Sequence, residues 1–183
     1  MTFKAPLVAV LIAIFAQGCA ETHADTSTAV RSPAELNDLE IAHVAYTADN
    51  IDIRYAHLAL AISDNPAIHE FAETMIRDHT AVNEQALALL SKLGAQPQDN
   101  FLSQSLEVGA DDLVNEMSQL RGDAFDRRYA ENELAYHGAV NDLVANAFIP
   151  NIENPEVKAL FEEGLQIFLA HENHAKMMVE NLK

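Results

Sequence analysis

His79, His137 and His171 are the residues of this chain best suited to chemistry. Each falls in the middle of an apolar stripe on a different predicted helix, and Asp52 falls on a fourth. Imidazole nitrogens and carboxylate oxygens are the usual protein ligands of zinc, copper, iron and manganese. Helical bundles commonly assemble such ligands in their cores. Glu133, one turn before His137, is a candidate additional ligand. Asp78, beside His79, points elsewhere and reads as a surface or supporting carboxylate. Tyr55 and Tyr129 are near enough in register to hydrogen-bond a ligand or line an access path.

Simple counting puts the four groups at one height. In antiparallel helices joined by a tight turn, residues are level when their mean number falls in the turn. For Asp52 and His79 the mean lies inside Ser63-Asp64-Asn65-Pro66, and for His137 and His171 inside the turn that ends at Pro155. His79 lies as far before Gly94 as His137 lies after Gly122. The four groups therefore share a level to within about one turn, ~5 Å of rise. Asp52 shares its stripe with Ala48, Tyr55 and Ala59, although Ile51 competes for the innermost position. On the third main helix Tyr129, Tyr136 and Leu143 define a second stripe, and His137 lies between the two.

The elements that must position these groups are all helical in pattern; no segment alternates like a strand. Ser32-Pro33-Ala34-Glu35 reads as a capped start for the first helix, with Glu35 completing a capping box. Its stripe is Ile41, Val44, Ala48, Tyr55, Ala59 and Ile62. Asn65-Pro66 opens the second helix, which carries Ile68, Ala72, Met75, His79, Val82, Ala86, Leu89 and Leu93 and stops at Gly94. Residues 95–103 read as a loop and 106–120 as a weaker helical stretch, able either to cover one end of the bundle or to mediate association. Gly122-Asp123 starts the third main helix. Asn154-Pro155-Glu156 opens the fourth, with Val157, Leu160, Phe161, Phe168, His171, Ala175, Met178 and Leu182 inward. Two short connections and one long one imply an all-α, antiparallel four-helix bundle over residues 32–183, with a short extra helix in the long connection.

The first residues read as a leader. Lys4 precedes an apolar run from Ala5 to Ala16, too short to span a bilayer. Residues 1–18 then form a signal peptide with Cys19 as a lipidated first mature residue; an ordinary cut after Ala20 or Ala24 is the alternative. Residues 19–31 are small and polar, a flexible tether. The expected location is the bacterial periplasm, or a membrane reached through a lipid anchor at Cys19. With one cysteine no disulfide forms within the chain. The net charge of -17 repels nucleic acid and anionic headgroups and attracts cations, which excludes a nucleic-acid partner.

The remaining histidines carry less. His43 follows Glu40 in a Glu-x-x-His spacing near the start of the first helix. His23, His57 and His69 read as solvated, and His174 as half-exposed one turn beyond His171. Met75, Met177 and Met178 read as core filler rather than soft copper ligands. There is no nucleophile elbow, phosphate loop or zinc-protease motif, so binding is expected rather than catalysis.

Several short patterns resemble the secreted bacterial family called domain of unknown function 4142. They are His57-Leu58-Ala59, Phe71-Ala72 with Met75, Asp78-His79 with Asn83, Phe125-Asp126 with Tyr129, His137 with Ala139-Val140, and His171 near Phe168 and Ala175. Asp52 stands where that family usually shows glutamate. The resemblance implies a ferritin-like fold and export, and leaves activity open. Ferritin-like di-iron proteins use paired Glu-x-x-His motifs, whereas Ile76 and Phe168 occupy the glutamate positions before His79 and His171. One zinc or copper ion held by His79, His137, His171 and Asp52, with Glu133 nearby, is thus favoured over a di-iron centre. The leading expectation is an exported bundle that buffers metal or answers stress in the cell envelope. A structural or interaction lipoprotein with a metal-free His/Asp network is the second reading, and a metal-dependent oxidase or peroxidase the third.

Overall fold

The structure is a computed structural model that describes residues 31–182. The signal peptide 1–18, Cys19, His23 and all but the last residue of the tether lie outside the described residues. Arg31, that last residue, grips the Glu40 carboxylate with two hydrogen bonds of 2.7 and 2.8 Å.

Among the described residues every regular element is helical. The expected start of the first helix is corrected. Ser32-Pro33-Ala34-Glu35 does close a capping box, but on a separate 3-10 turn, Pro33–Glu35. Leu36 is extended and ends that turn, and α1 runs from Asp38 to Ile62. A second box wins: the Asn37 side chain accepts the Leu39 and Glu40 amides, while Glu40 accepts the Asn37 amide at 3.0 Å. Leu36 and Ile41, both buried, flank this cap as a hydrophobic staple.

Ser63 caps the far end of α1, and α2 spans Pro66–Lys92 behind an Asn65 cap. His69, expected in solvent, instead donates to the Ser63 carbonyl at 2.6 Å and closes this turn. Beyond α2, Gly94 adopts φ +64° and the Ala95 amide reaches back to Leu90 O at 2.9 Å, the 6→1 bond that ends helices at glycine.

The weak stretch in the long connection is a full helix, α3, Phe101–Met117, which begins five residues earlier than expected because Asn100 caps it. It lies along the flank of α1 rather than over an end. The Asn100 amide group donates to Glu40 O at 3.0 Å, Arg54 reaches Glu107 and Asp111 at 3.2 Å each, and Ala110 and Met117 are buried. Helix α4 (Gly122–Leu143) continues into a π-helical turn, Val144–Phe148. Helix α5 spans Pro155–Asn181 behind Asn154. Asp38 accepts the Glu153 and Asn154 amides, which ties the α4–α5 turn to the start of α1.

Helix α1 packs on α2 and α4, and α5 packs on the same two. Each of these neighbours is antiparallel: Ser63 at the end of α1 meets Asp126 at the start of α4. Helices α2 and α4 are diagonal and parallel, and α3 carries the chain back between them. The architecture is an all-α, antiparallel four-helix bundle with one long, helical crossover. None of the described helices is long and apolar enough to cross a membrane.

The apolar core forms two clusters. One gathers Ile51, Phe71, Met75, Met117, Phe125 and Tyr129. The other gathers Ile41, Val44, Val144, Phe148 and Val157 at the opposite end. A buried polar layer separates them. Met177, expected inside, is 54% exposed, and Leu93 also faces solvent.

Candidate metal centre

Four helices supply the layer: Asp49 and Asp52 from α1, Asp78 and His79 from α2, Glu133 and His137 from α4, and His171 from α5. Helical periodicity explains why these side chains converge. Asp49 and Asp52 are three apart and share one face, as do Glu133 and His137 four apart. Asp52 and Glu133 are fully enclosed, and His79, His137 and His171 are 2–4% exposed.

The three imidazoles form a nearly equilateral triangle with ring centroids 5.4–5.7 Å apart. Asp52 Oδ2 lies 3.5 Å from His79 Nε2 and 3.4 Å from His137 Nε2. One nitrogen from each histidine can be chosen so that all three lie within 4.8 Å of one another. Metal–nitrogen bonds of about 2.0–2.1 Å place tetrahedral ligand atoms ~3.4 Å apart. The Asp52 contacts already match that spacing. The level and face expected for these four groups are therefore observed, including for His137, whose placement between two stripes resolves inward. Ile51 and Asp52 are both buried, so their competition has no loser.

The other nitrogen of each histidine is held from outside. Asp49 Oδ1 accepts from His79 Nδ1 at 2.7 Å, the Glu133 carbonyl accepts from His137 Nδ1 at 3.0 Å, and Asp78 Oδ2 accepts from His171 Nε2 at 2.9 Å. Those partners fix the tautomers, because the nitrogen that donates outward carries the proton. The inward nitrogens are then His79 Nε2, His137 Nε2 and His171 Nδ1, each of which offers a lone pair when its ring is neutral. These are the imidazole nitrogens of the layer that are buried without a hydrogen-bond partner among the described residues, and both Asp52 oxygens share that condition. Phe168 stacks flat on His79, centroids 4.6 Å apart, and holds the ring from its free side.

Charge in the layer is unequally shared. Burial opposes a proton on His79, but the Asp52 carboxylate and then Asp49 override it and lift its pKa to about 9. Burial lowers His137 against the pull of Asp52. Burial also lowers His171 to about 4, with Asp78 opposing and the other two histidines adding to the fall. Burial first, and the Asp52 charge second, push the Glu133 carboxyl well above its ordinary range. At neutral pH His79 thus carries a second ring proton between two aspartates, while burial and the Asp52 charge bias Glu133 toward its neutral acid form.

Asp49 was not among the candidates, although its spacing from Asp52 was the available signal: two acids on one face among Val44, Ala48 and Ile51. Asp78 is a supporting carboxylate as expected, but it serves His171 across the α2–α5 interface rather than its neighbour His79. It also accepts from Arg77 at 2.7 Å. Tyr129 is enclosed one turn from Glu133, and its hydroxyl has no partner among the described residues. The Tyr136 hydroxyl donates to Ala48 O at 3.0 Å and pins α4 to α1. The Glu40–His43 pair is not a ligand motif: Glu40 is spent on its cap and Arg31, and His43 lies 3.9 Å from Asp99. His174 packs edge-on against Phe71 instead of approaching the layer. His57 is exposed, as expected.

No curated protein matches the chain in sequence. Among solved structures, the fold is similar to that of CopM in the Cu(II)-bound form. The TM-score is 0.62 and the identity 14%, over 81% of this chain and 99% of CopM. At that identity the likeness speaks for the fold. The family pattern named "Domain of unknown function (DUF4142)" matches residues 23–178, nearly the whole bundle, and the chain belongs to that family.

Proposed function

We propose that the polar layer binds one transition-metal ion through His79 Nε2, His137 Nε2, His171 Nδ1 and the Asp52 carboxylate. The observation that carries this reading is the pairing of roles: each histidine is anchored through one nitrogen, the free Nε2 atoms of His79 and His137 both face Asp52 Oδ2 at 3.5 and 3.4 Å, and His171 completes a three-histidine group beside them. Ligating histidines usually donate their other N–H to a carboxylate or backbone carbonyl, and such partners orient the ring and raise its basicity. Two carboxylates and a carbonyl fill that role here. A donor set of three imidazoles and one carboxylate suits zinc or copper better than a carboxylate-rich di-iron centre. The fold neighbour CopM was itself solved with Cu(II), which supports copper as one candidate ion.

A bound ion would supply positive charge to a layer in which two buried aspartates, Asp49 and Asp52, face His79. Binding through His79 Nε2 would displace that ring's second proton. Four protein donors fill a tetrahedral shell, which suits holding an ion more than activating a substrate. The function that follows is buffering or storage of metal, in the cell envelope if the leader directs export, with Cys19 as the membrane anchor if it is lipidated.

The test is metal content by mass spectrometry on untagged protein offered zinc, copper, iron and manganese, beside a His79→Ala, His171→Ala variant. About one equivalent in the wild type and none in the variant is expected. A wild type that holds no stoichiometric metal overturns the reading and leaves a structural network in its place.

A further inference from the structure

A cavity of about 50 Å³ adjoins the layer on the side of Asp49 and Phe168. It lies between the polar layer and the Ile41–Phe148 cluster, and all four bundle helices wall it. Hydrocarbon side chains such as Val44, Val140, Val144, Leu160 and Phe161 make up most of the wall; Tyr46, Asp49 and Asn83 are its polar exceptions. Partly open space lined this way holds ordered water poorly, because a bound water needs two to four polar partners. Small apolar molecules suit it better.

Two independent features of the fold keep this space open. Gly164 lines the cavity from the interior of α5, where glycine is less favourable than alanine. Nothing packs close enough to require it: an added Cβ would meet only the Phe168 ring, at 3.7 Å. Its φ is not in the left-handed region, which among the glycines is occupied by Gly94 and Gly122. What the missing side chain preserves is volume. The second feature is the π-helical turn, Val144–Phe148, whose widened backbone sets Val144 and Phe148 into the same wall. Such turns recur beside functional sites.

We infer that this cavity is a binding site for a small, uncharged, apolar molecule of the size of dioxygen, placed one ring's thickness from the histidine layer. Phe168 forms the partition: one face stacks on His79, and the ring also lines the cavity. A molecule held here stands next to the layer without competing for its inward nitrogens. The site needs no metal, so it stands or falls separately from the metal reading.

Xenon is the probe, applied under pressure to the metal-free folded protein with methyl NMR shifts as the readout. Saturable shifts are expected at Val44, Val140, Val144 and Leu160, and at least a fivefold smaller response in Gly164→Leu. Dioxygen should broaden the same methyls. If Gly164→Leu fails to fold by circular dichroism, Ala86→Leu fills the cavity from α2 and must show the same loss. Wild-type methyls that ignore xenon, shifts equal in the filled variant, or bound water giving exchange cross-peaks to these methyls each overturn the inference.

Discussion

Asp49→Asn separates a supporting carboxylate from a merely packed one. The native Asp49 Oδ1 lies 2.7 Å from His79 Nδ1 with both side chains buried. Asparagine keeps an oxygen that accepts the same hydrogen bond, so ring orientation survives while the negative charge is lost. Removing such a second-layer carboxylate typically weakens metal binding 10–100-fold, about 1.4–2.7 kcal/mol. In the metal-free protein the same change withdraws part of the field that holds His79 at about 9. The expected loss of stability is about 1–3 kcal/mol, below the ~3–5 kcal/mol of breaking a buried pair outright. Zinc affinity is read by competition with a chromophoric chelator at pH 7.5, and stability by urea unfolding with zinc absent. Asp111→Asn is the control, since that carboxylate is 68% exposed and meets only Arg54. An Asp49→Asn protein that binds zinc within threefold of the wild type would refute the role assigned to this pair.

Metal binding at pH 7.5 should release close to one proton, from His79, measured by calorimetry in buffers of different ionisation enthalpy. The stabilising contributions of His79 and His171 to the metal-free protein should together be greatest near pH 6.5, read as the difference from His79→Ala and His171→Ala variants. The raised pKa of His79 contributes fully below its unfolded value and is lost as pH rises through about 9, while the lowered pKa of His171 contributes fully above its unfolded value and is lost as pH falls through about 4. Each arm amounts to about 3 kcal/mol, visible in urea midpoints between pH 4 and 10. Asp126→Ala strips the buried Ser63 hydroxyl of its 2.6 Å acceptor and should cost about 1–3 kcal/mol in thermal or urea unfolding. Gly122→Ala, at φ +55°, should cost about 1–2 kcal/mol by the same measurement, although space around it is open.

The order of helices, their turns and the common level of Asp52, His79, His137 and His171 were legible because each rests on local rules: caps, glycine stops and a constant rise per residue. Legibility failed where two local signals compete or where a partner is distant in sequence. Ser32 and Asn37 both head a capping box, and only the clamp from Arg31 onto Glu40 together with the Leu36–Ile41 staple decides between them. Asp49 looks like any helical acid until α2 brings His79 against it. Asp78 sits next to one histidine in the chain and bonds another ninety-three residues away. His69 read as solvated because the carbonyl it caps belongs to the preceding turn. Lone pairs are not written in spacing at all; they follow from which nitrogen the outer partner takes.

The layer draws Asp52 and His79 from the α1–α2 hairpin and His137 and His171 from the α4–α5 hairpin, with α3 the chain's only covalent path between the two. An ion bound at the centre would therefore be a rivet between two halves, and neither hairpin alone would keep more than two of the proposed donors. Escape of such an ion would then require the hairpins to part rather than one side chain to rotate. Its residence time would then be a mechanical property of the seam, in which the Ser63–Asp126 and Tyr136–Ala48 fastenings hold the hairpins together beside the donors.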